Sequence, residues 1–214
     1  RRNEKGTRKM TSLRSGVKLT LMKKLSTYLF LILFGFSAPS FADDISEFQI
    51  EGMSIGDSLL DYFTVDEINN DTGYYDDNKF VYSFILKHSS FKIYDSLSLA
   101  YKPNDKKYII HSIEASIAYR YNISECYQQK ENIVSELSKL FKKKSDSYNN
   151  NYSGDKSGKS KVSVTDIYLK SGTARVICYD IDEELSKNKG WWDRLSVIIN
   201  NEEFGNFLEN EAYN

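Results

Sequence analysis

Histidine, cysteine and proline each occur only twice in this chain of 214 residues, and each scarcity removes a class of chemistry. A zinc centre needs clustered ligands. His88 and His111 fall in different candidate strands with no carboxylate at a regular ligand spacing. The acidic residues Asp71, Asp76 and Asp77 lack the alternating ligands and following glycine of a calcium loop, so neither a metal nor another cofactor is expected. Cys126 and Cys178 show no C-x-x-C spacing, which argues against a catalytic thiol pair. The G-x-S-x-G elbow of serine hydrolases is missing. The stretch Gly154-Asp155-Lys156-Ser157-Gly158-Lys159-Ser160 imitates a phosphate-binding loop. Only three residues separate its glycines where that motif needs four, and a strand rather than a helix follows. No catalytic residue is assigned, and an enzyme is not the expected function.

A surplus of positive charge is lacking too. Nine of the 29 basic residues and one of the 30 acidic residues lie in the first 42 positions. Residues 43–214 therefore carry 20 basic and 29 acidic groups, a net charge of the wrong sign for displacing counterions from nucleic-acid phosphates. Long apolar runs are also scarce. Residues 25–36 are mostly apolar, but a bilayer span takes about 20 such residues.

That short run has a different meaning in context. Met22-Lys23-Lys24 precedes it, and Ala38-Pro39-Ser40-Phe41-Ala42 follows with small residues at its third-last and last places, Ser40 and Ala42. This is the pattern of a secretory signal peptide over residues 22–42, cleaved after Ala42 and leaving no stable membrane span. Residues 1–21 read as an upstream extension without an apolar pattern. The double lysine and short apolar region look bacterial, so the expected compartment is the periplasm or the exterior. Thiols oxidise there. Cys126 lies seven residues before Ile133, on the apolar stripe formed with Val134, Leu137, Leu140 and Phe141. Cys178 sits in a strand-like run, and a helix packed across a sheet would join the two in a disulfide.

Residues 43–214 read as one α+β domain. Met53 to Phe63 has helical periodicity after Ser54, and a second cap pattern at Thr64 and Glu67 predicts a helical turn around Ile68. Residues 73–78 read as a loop. Strands are predicted over residues 79–87, 91–101 and 108–121, with Pro103-Asn104-Asp105 turning between the last two. A helix over residues 124–144 ends in three lysines, which suit its dipole. Residues 145–160 are polar without periodicity and read as a flexible loop. Strands over 161–170, 173–181 and 193–200 and a helix over 202–212 complete the chain. The expected architecture is an antiparallel meandering sheet with helices on one face. The order allows two repeats of a helix plus three strands, residues 48–121 and 122–214.

Aromatic residues are abundant, with 16 tyrosines and two tryptophans. Such side chains offer large contact area with a polar handle. Tyr74, Tyr75, Trp191 and Trp192 are the candidate binding residues, because they fall in predicted loops beside acidic residues. The stretch Phe48-x-Ile50-x-Gly52-Met53-Ser54, followed by an amphipathic segment, resembles the opening of small envelope domains of the SmpA/OmlA and β-lactamase-inhibitor-like type. The resemblance implies a helix packed on an antiparallel sheet, and a function in binding other proteins in the envelope or outside the cell. The chain as a whole is also similar to small exported bacterial proteins. The expected function is thus an exported, non-catalytic binding module whose partner is an envelope or extracellular protein. The alternative is a binder of a small or lipid-like ligand in a cavity between sheet and helices.

Overall fold

The computed structural model describes residues 44–75, 78–120 and 122–212. The upstream extension, the leader, Asp76 and Asp77 lie outside the described residues. In chain order the elements are α1 (Val65–Asn70), β1 (Thr72–Tyr74), β2 (Val81–Leu86), β3 (Ser96–Tyr101), β4 (Ser112–Ala118), α2 (Ile123–Phe141), β5 (Ser145–Asn151), β6 (Lys161–Leu169), β7 (Gly172–Asp180), α3 (Glu183–Lys189), β8 (Arg194–Asn201) and α4 (Glu202–Asn210). The architecture is α+β, as the sequence predicts. All eight strands form one sheet in the order β1-β2-β3-β4-β8-β7-β6-β5, with every neighbouring pair antiparallel. Among the described residues no helix is long and apolar enough to cross a membrane.

Directly opposed residues of an antiparallel pair share a face, so the register sorts the sheet into two sides. Leu99, Ile113, Ile199, Ala174 and Ile167 oppose one another in turn across β3, β4, β8, β7 and β6. All five are buried. On this side the Ser83 hydroxyl donates to the Ile68 carbonyl at 2.6 Å, fixing α1. The disulfide between Cys126 and Cys178, with Cα atoms 6.1 Å apart, fixes α2 to the middle of β7. Ile133, Val134, Leu137 and Phe141 continue the buried stripe of α2, and Phe141 meets Phe48 from the leading segment at 6.0 Å between ring centres.

The opposite side is covered only at one end among the described residues. Phe204 and Phe207 of α4 pack with Phe80, Ala100 and Ala212, and Tyr75, Tyr82 and Leu208 close around them. Asn201 begins this helix by accepting from the Phe204 N–H at 2.8 Å with its Oδ1. Its Nδ2 therefore faces His111 Nδ1, at 2.9 Å, and that ring nitrogen must carry a lone pair. Burial holds the His111 pKa below its ordinary value.

Six stretches depart from the sequence reading. Residues 53–63 form only a three-residue 3₁₀ turn, Leu59–Asp61. Glu51 and Gly52 have φ of 52° and 85°, and the Ile50 and Met53 main chains bond to each other across them at 2.9 and 3.0 Å. This is a two-residue hairpin turn of the kind that needs positive φ at both positions. Beyond Gly56, the Asp57 carbonyl accepts from Ile110 N–H and the Leu59 N–H donates to Tyr108. Main-chain pairing therefore replaces the helix. Residues 73–78 contribute to β1 instead of being wholly loop, and residues 145–160 begin with the seven-residue strand β5. Each half thus supplies four strands, not three. The long predicted strands 91–101 and 108–121 shrink at their starts, because Glu51 accepts from the N–H groups of Lys92, Ile93 and Tyr94 and Tyr108 has a φ of 51°. Helix α3 was not foreseen. It lacks any buried residue and so gives no apolar periodicity.

Two outcomes test this description. The disulfide closes a segment of 52 residues, which in the chain-entropy account stabilises by roughly 4 kcal/mol. A Cys126→Ala/Cys178→Ala variant should lose about 2–5 kcal/mol in urea unfolding, and added reductant should have no further effect on it. His111 contributes in the opposite sense to a paired histidine. Its lowered folded pKa makes stability decline as pH falls through the unfolded value near 6.5, reaching its full loss below the folded value. His111→Gln should flatten that part of the stability–pH curve measured by denaturant unfolding between neutral and mildly acid pH.

Candidate functional site

The uncovered part of the sheet gathers the residues best suited to contact. On β6 the residues of this side are Val162, Val164, Asp166 and Tyr168, and on β7 they are Thr173, Arg175, Ile177 and Tyr179. Val162, Val164 and Ile177 form an apolar floor, over which Tyr152, Tyr179 and Ile198 pack. Aromatic stacking continues outward at one end. Arg194 lies 3.7 Å over the Tyr179 ring. Tyr179 meets Tyr152 edge-on at 5.5 Å, and Tyr152 meets Trp191 at 5.9 Å. Burial pushes the Tyr179 hydroxyl well above its usual range, so it stays a neutral donor at any physiological pH.

At the other end, a charged pair rises from the floor. Arg175 Nε and Nη2 donate to the two carboxylate oxygens of Asp166 at 2.6 and 3.0 Å, a bidentate geometry that fixes the guanidinium plane. The Tyr148 hydroxyl donates to the same carboxylate at 3.3 Å. Asp166 is 2% exposed, whereas Arg175 is 39% exposed. The anion is therefore sheltered and the cation presented. Tyr168, at 55% exposed, Tyr148 at 40% and Trp191 at 37% stand at the rim. The result is an apolar and aromatic floor with fixed arginine planes and tyrosine edges, which can bind a complementary protein surface by stacking and hydrogen bonding.

The four sequence-predicted residues are not brought together. Tyr74 is on the edge strand β1 and largely exposed. Tyr75 turns inward, edge-on to Phe207 at 5.2 Å. Trp191 stands against Tyr152 at the far edge of the sheet from β1. Trp192 receives Arg120, 4.6 Å from its ring centre. Trp191 alone adjoins the uncovered face. Of the other residues on this face, Tyr168, Arg175, Tyr179 and Arg194 lie in predicted strands, where sequence reasoning did not look for contact residues, and Tyr148 and Tyr152 lie in the stretch 145–160 that reads as a loop.

The other candidates have local explanations. The glycine-bearing loop folds around its own anion: the Asp155 carboxylate accepts from Ser157 N–H, Ser160 N–H and Ser160 hydroxyl at 2.9, 2.8 and 2.7 Å. Hydrogen bonds from Ser157 and Ser160 hold that carboxyl well below its usual range, and the donors a phosphate would need are already engaged. His88 Nδ1 lies 2.7 Å from the Ser90 hydroxyl, and its Nε2 lies 3.2 Å from Glu67. Ser90 is only two residues away and its N–H also points at Nδ1, while Glu67 closes the capping box of α1. The contact braces a turn. No group of three or more His, Cys, Asp or Glu among the described residues could hold a metal ion. A groove of about 530 Å3 between α2 and the outer strands is lined by Tyr127, Glu131, Asn149, Lys161, Ser163 and Asp180 among others; it is open to solvent and mixed in polarity, unlike the enclosed apolar cavity that a lipid-like ligand needs.

The chain matches no protein-family model, and no curated protein and no solved structure is significantly similar to it.

Truncating Arg175 leaves Asp166 buried without its cation. Because the Arg175 side chain is 39% exposed, the cost falls below that of a fully buried pair and is about 2 kcal/mol. Thermal and urea unfolding of Arg175→Ala should show that loss, and Arg175→Lys should recover only part of it, having no planar fork.

Proposed function

We propose that this protein is an exported, non-catalytic binding module that contacts an envelope or extracellular protein through the uncovered face of its sheet. The observation that carries the reading is that face itself: Tyr152, Tyr168, Tyr179 and Trp191 with Arg175 and Arg194 over a floor of Val162, Val164 and Ile177. Aromatic and arginine side chains around a desolvated apolar centre are the composition in which binding energy concentrates. The disulfide fits an oxidising compartment, in keeping with the signal-peptide pattern of residues 22–42. In this reading Tyr74 is peripheral.

The test uses the full chain as bait in envelope extract, with chemical crosslinking before recovery. A Tyr168→Ala/Trp191→Ala variant should retain at least about tenfold less of the captured protein than the wild type, while Tyr74→Ala should match the wild type. Equal capture by the double variant, or recovery of a co-purifying small molecule and no protein, contradicts the proposal.

A further inference from the structure

An exposed sheet edge presents unpaired N–H and C=O groups, and proteins ordinarily blunt it with short strands, lysine, proline or a bulge. One edge of this sheet follows that rule. β1 has three residues. The opposite edge does not. β5 runs for seven residues, Ser145–Asn151, almost wholly exposed, and pairs with β6 in unbroken register from Ser145↔Ile167 to Asn151↔Lys161. It contains no lysine and no proline, and Asp146 is its single charge.

The register also tells which of its main-chain groups are free. Tyr152 N–H donates to Ser160 O at 3.0 Å, one step beyond Asn151↔Lys161 in the same register. In an antiparallel ladder, alternate residues direct both their main-chain groups to one neighbour. Asn150, Tyr148 and Asp146 therefore bond to β6, and Ser145, Ser147, Asn149 and Asn151 point outward. Among the described residues no main-chain partner meets them.

We propose that the β5 edge pairs with the β5 edge of a second copy of this chain, antiparallel and centred on Tyr148. That register opposes Ser145 to Asn151, Asp146 to Asn150, Ser147 to Asn149, and Tyr148 to its own counterpart. All four outward residues of each copy then become hydrogen-bonded pairs, giving about eight main-chain hydrogen bonds. No like charges meet, since Asp146 faces an amide. This matters for an acidic protein, whose residues 43–214 hold nine more acidic than basic groups. Tyr148 belongs to the uncovered face, so the pairing continues that face across the two-fold axis. Two sheets become one, and two copies of the tyrosine and arginine surface lie side by side. The assembly does not depend on what that surface binds.

The geometry makes a cysteine test decisive. Tyr148 and its counterpart form a non-hydrogen-bonded pair, with Cα atoms about 4.5 Å apart, within disulfide range. In the full chain, Tyr148→Cys should form an intermolecular disulfide rapidly in non-reducing electrophoresis. Asp146→Cys, which faces Asn150 and not itself, should not. Sedimentation velocity of the wild type should show a concentration-dependent dimer. Asn149→Pro removes an outward N–H and leaves the β6 ladder intact, and should weaken the dimer at least tenfold with an unchanged circular-dichroism spectrum. A wild type that stays monomeric throughout the micromolar range overturns the proposal. So does equal crosslinking of the two cysteine variants, a result that remains readable if the proline variant fails to fold.

Discussion

One strand pairing makes a single sheet of the two halves of this protein. β4 and β8 run antiparallel over seven residues, from Ser112↔Asn200 to Ala118↔Arg194. Were that seam lost, β1 to β4 and β5 to β8 would be separate four-stranded sheets with exposed inner edges. The seam has different contents on its two sides. Towards the helices it is apolar, with Ile113, Ala115, Leu195, Val197 and Ile199 buried. Towards the other side it is mixed: Ser112 bonds to Asn200 and Ser116 to Ser196 at 2.8 Å, with Glu114 opposite Ile198 between them. A buried polar group needs a partner, and these serines and Asn200 satisfy one another across the seam.

This asymmetry leaves one side of the sheet free for the proposed contact surface. The helix-side layer, with α1, α2 and the leading segment, supplies the packing, and the disulfide locks α2 at the centre of β7. The opposite side is then available for display. Its apolar floor is small and its rim is built from side chains with fixed geometry, Arg175 by Asp166 and Arg194 by Tyr179. Rigid, pre-oriented side chains lose little entropy on binding.

Much of the core was legible in the sequence, and the reasons are specific. Helix α2 announces itself by the spacing from Cys126 to Phe141, and α1 by the Thr64 and Glu67 cap, observed with Glu67 Oε2 2.8 Å from the Thr64 nitrogen. β6, β7 and β8 are runs rich in Val and Ile, partly buried on both sides, with β6 and β7 joined through Ser171-Gly172. The two edge strands were invisible for a common reason. Residues 145–151 have nearly every side chain exposed, so no apolar period exists to find. β1 is too short to show one. The Gly52-Met53-Ser54 stretch misled for a different reason, because a glycine with positive φ opens a hairpin turn there and not a helix. The candidate site was read from loops, where tyrosines look exposed, although Tyr75 turns inward and most tyrosines of the uncovered face, Tyr148, Tyr168 and Tyr179, stand on strands.

The central claim is that the uncovered face is the part of the molecule that meets its partner. Hydroxyl-radical footprinting of the chain, compared in envelope extract and in buffer and read residue by residue by mass spectrometry, tests it most directly. The account predicts that Tyr168, Tyr179 and Trp191 become protected in extract while Tyr74 and Leu60 are modified equally in both. Protection confined to Tyr74 and the β1 edge, or none on the uncovered face, would contradict it.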